Sequence, residues 1–77
     1  MESPIGSNIK RLRSEKGMTQ KELARYLNVS VQAVSKWERD RAYPDLSLLL
    51  PIAGLFGVTL DELFGRHDDT KTGCIKN

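Results

Sequence analysis

Thr19-Gln20-Lys21-Glu22-Leu23-Ala24-Arg25-Tyr26-Leu27-Asn28-Val29-Ser30-Val31-Gln32-Ala33-Val34-Ser35-Lys36-Trp37-Glu38-Arg39 is the stretch that decides the fold. Glu22 follows Thr19 at the spacing of a capping box, in which each side chain satisfies the other residue's free N–H, so Thr19 opens a helix. Met18 before that cap and Leu23 after it are placed as a hydrophobic staple, and Leu23, Ala24 and Leu27 supply a buried face. Asn28-Val29-Ser30 then reads as a short turn, because Asn tolerates the left-handed conformation that a tight helix exit needs. Ser30 caps a second helix of the pair, with Val34 and Trp37 as its inner stripe. Gln32, Ala33, Ser35, Lys36 and Arg39 project elsewhere. Ala24 sits where the two helices would cross, and a small residue there allows close approach, so the pair is expected to meet near a right angle.

Outward from this pair the same signals recur. On the N-terminal side Ile5, Ile9 and Leu12 fall at helical spacing over Ile5 to Lys16, and Gly17 closes the segment. On the C-terminal side Asp40 to Asp45 is a loop containing Pro44. Asp45 is placed to cap a fourth helix running to about Phe56, whose core face is Leu48, Leu49, Ile52, Ala53 and Phe56. Pro51 falls inside that helix and should kink or loosen it, and with Gly54 it makes the helix poor on propensity alone. Gly57 stops the helix, Thr59 and Glu62 repeat the capping box, and a short fifth helix ends by Gly65. The expectation is an all-α, compact five-helix domain over residues 1–65, with residues 66–77 a tail or linker.

A chain of 77 residues supports one compact core. With 39% apolar and 29% charged residues its composition is that of a folded soluble domain. The longest apolar stretch, Leu46 to Val58, is interrupted by Ser47, Pro51, Gly54 and Gly57 and is too short to span a bilayer. Met1-Glu2-Ser3-Pro4 lacks the features of a secretory signal, which leads to the expectation of a cytoplasmic protein. Cys74 and His67 each stand alone, so neither a disulfide nor a Cys/His metal site is expected, and no cofactor. Asp61, Glu62, Asp68 and Asp69 are paired carboxylates without a His or Lys partner. Capping and solvation account for them, and an enzyme is not expected. Charge is uneven: residues 1–43 hold nine Lys and Arg against five Asp and Glu, while residues 44–77 hold three against five. One half could face phosphate, although solvated helix faces would give the same asymmetry.

The second helix of the central pair is narrow enough to enter a B-DNA major groove, about 12 Å wide. The chain also resembles the phage repressor and Cro family of helix-turn-helix regulators, also called XRE-like. The resemblance rests on Ile9-Lys10-Arg11-Leu12-Arg13, Met18-Thr19-Gln20-Lys21-Glu22-Leu23-Ala24, Val34-Ser35-Lys36-Trp37-Glu38, Pro44-Asp45 and Phe56-Gly57-Val58-Thr59-Leu60-Asp61-Glu62-Leu63. It implies a lambda-repressor-like domain whose third helix, about residues 31–39, reads double-stranded DNA. Val31, Gln32, Ser35 and Lys36 would face bases, with Gln32 suited to adenine, Lys36 to guanine and Val31 to a thymine methyl. Gln20 would contact a phosphate and brace Gln32. Arg39, Arg41 and Tyr43, and more weakly Arg11, would hold flanking phosphates. Arg13 and Glu38 match positions that pair inside the domain. Trp37, at the inner stripe, reads as core rather than as a base-stacking platform. Asp40 departs from the family, standing where Gly is common at the exit of the third helix.

The function this implies is sequence-specific transcriptional regulation, as a repressor, by a homodimer on a pseudo-palindromic operator, since one helix reads too few base pairs for genomic specificity. Two alternatives stay open at this point: a protein-interaction adaptor or antitoxin module, and the N-terminal DNA-binding part of a longer regulator. No residue set suggests a small-molecule ligand.

Overall fold

The structure is a computed structural model and describes residues 5–65; the expected tail at 66–77, with His67, Asp68, Asp69 and Cys74, lies outside the described residues. Five helices follow one another among the described residues: α1 (Ile5–Glu15), α2 (Gln20–Leu27), α3 (Val31–Glu38), α4 (Leu46–Phe56) and α5 (Leu60–Leu63). No strand occurs among the described residues. Each helix start after the first is capped by a short polar side chain. Thr19 and Thr59 both close capping boxes, with the hydroxyl accepting from the N–H of Glu22 or Glu62 at 3.0 Å and the carboxylate accepting the Thr N–H at 2.9 Å. Ser30 Oγ accepts from Ala33 N at 3.1 Å. Asp45 caps α4, where Ser47 Oγ donates to Asp45 Oδ2 at 2.7 Å and Ser47 N at 3.3 Å. The Ser47 hydroxyl, then its N–H, hold the Asp45 carboxyl below the ordinary Asp range.

Helix exits share one device. After α1, α2, α3 and α4 a residue in the left-handed region reverses the chain: Gly17, Asn28 (φ 62°), Asp40 (φ 59°) and Gly57. The next N–H then reaches back over the last turn, in Met18 N to Arg13 O, Val29 N to Ala24 O, Arg41 N to Lys36 O and Val58 N to Ala53 O, at 2.8–3.0 Å. These are Schellman-type closures, which satisfy carbonyls that the helix itself leaves free. Asp40 thus takes up the conformation for which the family uses Gly, and it does so at the exit of α3, which ends at Glu38 with Arg39 as its C-cap.

The core is shared by all five helices: Ile5 and Ile9 from α1, Leu23, Ala24 and Leu27 from α2, Val34 and Trp37 from α3, Leu49, Ile52 and Ala53 from α4, and Leu63 from α5. Leu48 and Phe56 of the expected α4 face are half-buried against it. Pro51 does not interrupt α4. Its missing N–H removes one intrahelical bond, but the flanking Leu49, Ile52 and Ala53 are buried, so packing rather than propensity holds the helix. Two long-range features place α1. Asn8 Nδ2 donates to Leu63 O at 3.0 Å, capping the end of α5. Gly6 lets α1 approach the end of α3 so closely that a Cβ there would run into the Trp37 carbonyl and lie 2.7 Å from Asp40 Oδ1.

Candidate nucleic-acid interface

Helix α3 divides cleanly between the core and water. Val34 and Trp37 are 0% and 4% exposed and anchor it, while Val31, Gln32 and Lys36 are exposed and Ser35 is half-buried. Positions 31, 32, 35 and 36 are neighbours at helical spacing, so they form one outward face. Val31 and Gln32 are the first two residues of α3. Ser30 caps the N–H of Ala33 and leaves the N–H groups of Val31 and Gln32 without a partner among the described residues. An unsatisfied helix start favours anions. The face therefore offers an apolar methyl pair, an amide, a hydroxyl and an ammonium on a rigid rod, which are the group types that base edges require.

Cationic and aromatic side chains continue beyond this face. Arg39, Arg41 and Tyr43 are all exposed in the segment that leaves α3. Arg39 Nε lies back along the helix and donates to Ser35 O at 3.3 Å. Arg11, on α1, pairs with Glu15 at 3.2 Å, with both side chains at least half exposed. An exposed pair at this spacing is worth only about 0.3–0.5 kcal/mol, so a phosphate would displace Glu15 readily.

What orients α3 is a half-buried polar cluster around Glu38, its last residue. Arg13 Nε donates to Glu38 Oε2 at 2.7 Å and Arg13 Nη2 to Oε1 at 3.2 Å. Arg13 Nη1 continues to Met18 O at 2.6 Å. The two side chains are 13% and 2% exposed, so this is an enclosed, forked ion pair joining α1 to α3. Gln20 Nε2 donates to the same carboxylate, to Oε1, at 3.0 Å. No hydrogen bond joins Gln20 to Gln32 among the described residues; the amide meets Glu38. Lys21 was not singled out from the sequence. It is exposed beside Gln20, at the start of α2, where the capping box leaves the first backbone N–H groups free. Its position next to Thr19 was the available signal.

A reader helix standing proud of a helical core, seated by a preceding helix and flanked by cations, defines the class: a helix-turn-helix DNA-binding domain. Comparison with known proteins agrees. A helix-turn-helix family model matches residues 9–63, and the chain belongs to that family, in its XRE-like, phage-repressor form. The chain is similar to the HTH-type transcriptional activator BcrR of Enterococcus faecalis, at 46% identity over 64 residues, covering 83% of this chain and 31% of BcrR. It is also similar to the HTH-type transcriptional regulator ImmR of Bacillus subtilis, at 37% identity, covering 87% of this chain and 53% of ImmR. The chain thus spans 31% of the length of the first of these relatives and 53% of the second. Among solved structures it resembles the P22 c2 repressor bound to a synthetic operator, with a TM-score of 0.75 and 27% identity, over 82% of this chain and 96% of that one. The family is one of DNA-binding regulators rather than an enzyme class. No described helix is long and apolar enough to cross a membrane.

Proposed function

We propose that the chain regulates transcription, as a repressor in the cytoplasm, by binding an operator in double-stranded DNA as a homodimer. The observation that carries this is the outward face of α3, held rigid by Val34, Trp37 and the Glu38 cluster. Val31, Gln32, Ser35 and Lys36 read bases, while Arg39, Arg41, Tyr43 and, after release from Glu15, Arg11 hold phosphates. Similarity to repressors and the operator-bound c2 structure supports the reading. A second copy is favoured by Leu46 and Leu50, one helical turn apart on α4 and 79% and 68% exposed. These leucines would be covered by the partner, and two α3 helices would then fall in successive major grooves about 34 Å apart.

Selection of bound duplexes from a randomised pool at physiological salt tests the proposal. The expected product is an inverted repeat with half-sites about one helical turn apart. Gln32→Ala should then weaken binding by about 1–3 kcal/mol and relax one position per half-site, whereas Arg41→Ala should weaken all sequences alike and flatten the salt dependence. A pool that enriches no sequence would overturn base reading by α3 and favour a protein-binding adaptor. A single unrepeated half-site would overturn the dimer alone.

A further inference from the structure

We propose that Asp40 attenuates DNA affinity: it fixes an unpaired carboxylate between Arg39 and Arg41, two of the cations assigned to phosphates. This rests on the DNA-binding reading of α3 and adds a control on its strength. The two ion pairs among the described residues, Arg11 with Glu15 and Arg13 with Glu38, include none of these three side chains. All three are exposed. Asp40 is also held in place. Its backbone is left-handed, at φ 59°, and is locked on both sides by Asp40 N to Trp37 O at 3.1 Å and Arg41 N to Lys36 O at 2.8 Å. Its Oδ1 leans on the first turn of α1, where a Cβ on Gly6 would lie 2.7 Å away. A glycine would reach the same φ without steric cost, so the turn does not call for a carboxylate. The property that Asp40 adds is charge.

The balance of charge at this end of α3 gives the size of the effect. Glu38 is enclosed and neutralised by Arg13, so it presents no charge to a phosphate. Lys36, Arg39 and Arg41 then stand against Asp40 on the exposed surface, three cations and one anion. Consecutive Cα atoms are about 3.8 Å apart, so a phosphate held by Arg39 or Arg41 comes within roughly 7–10 Å of the Asp40 carboxylate. Repulsion from two such phosphates, screened at physiological salt, accounts for about two- to fivefold in affinity. Every sequence presents the same phosphates, so the penalty lowers affinity without altering base preference. The domain keeps a rigid reader helix while its grip on the backbone stays weaker and more readily reversed.

The test compares the native protein with Asp40→Asn and Asp40→Gly on two duplexes, one selected by the native protein and one scrambled at equal composition. Affinity is followed between about 50 and 200 mM salt. Both variants remove the charge, and both new residues tolerate a positive φ. Each should bind both duplexes about two- to fivefold more tightly at physiological salt, with the ratio between the duplexes unchanged. With one opposing charge fewer, the loss of affinity across that salt range should grow by up to about 3.5-fold. A gain for Asp40→Gly without one for Asp40→Asn would assign the effect to the backbone at the exit of α3 and overturn the role of charge. Unchanged or weaker binding by Asp40→Asn would overturn it equally, and so would a gain confined to the selected duplex. Failure of the native protein to bind duplex DNA would instead remove the DNA reading itself, an outcome seen without any variant.

Discussion

Replacing Arg13 by Met isolates what the enclosed ion pair contributes. The substitution keeps most of the side-chain volume but removes three hydrogen bonds, two to Glu38 and one to Met18 O. It leaves a carboxylate that is 2% exposed with only the Gln20 amide as partner. Breaking one side of a buried pair costs about 3–5 kcal/mol, and because Arg13 is itself 13% exposed the lower end applies, about 3 kcal/mol. A domain of this length has a total stability of about 4–11 kcal/mol, so the loss is a large fraction of it. With a urea slope of about 1 kcal/mol/M, the midpoint of chemical unfolding should fall by about 3 M, and Tm by about 12–24 °C. The decisive comparison adds Glu38→Gln to Arg13→Met. If the cost lies in an uncompensated buried charge, neutralising that charge should recover about 1–2 kcal/mol, even though a second native residue has been removed. Unfolding followed by circular dichroism reads both. A drop in Tm below about 4 °C for the single variant, as for a surface pair, or a further loss in the double variant, would refute the burial argument.

Two other perturbations probe how the frame holds α3. Gly6→Ala should destabilise the domain by about 1–3 kcal/mol in urea unfolding, since the added methyl meets the backbone carbonyl of Trp37 and α1 has to move away from α3; an unchanged midpoint would show that the two helices do not meet there. Acid unfolding should weaken the start of α4. The folded-state pKa of Asp45 is lowered by its bonds from Ser47, so its contribution is fully present above the unfolded value and is lost as the pH falls below about 4 through the folded one. Asp45→Asn keeps the cap without the ionisation and should flatten the pH dependence of Tm in that window; an identical slope would remove Asp45 from the acid transition.

Much of this protein is written locally. Thr19 with Glu22, Ser30 with Ala33, Asp45 with Ser47 and Thr59 with Glu62 are bonds between residues two or three apart, set by the backbone geometry of a helix start and legible from residue type and spacing. The same holds for Asn28, which the turn requires to tolerate a positive φ, and for the period that sorts Val34 and Trp37 inward from Gln32 and Lys36 outward. Other features exist only because helices meet. Glu38 becomes enclosed when α1 and the start of α2 close over the end of α3, and only then does it accept from the amide of Gln20, eighteen residues away. The need for Gly at position 6 comes from the Trp37 carbonyl on another helix, and the tolerance of Pro51 from the core beneath α4. Local hydrogen bonds close short loops at little entropic cost and can be read from spacing. Contacts between distant residues depend on how buried faces pack, so they emerge only once the helices have assembled.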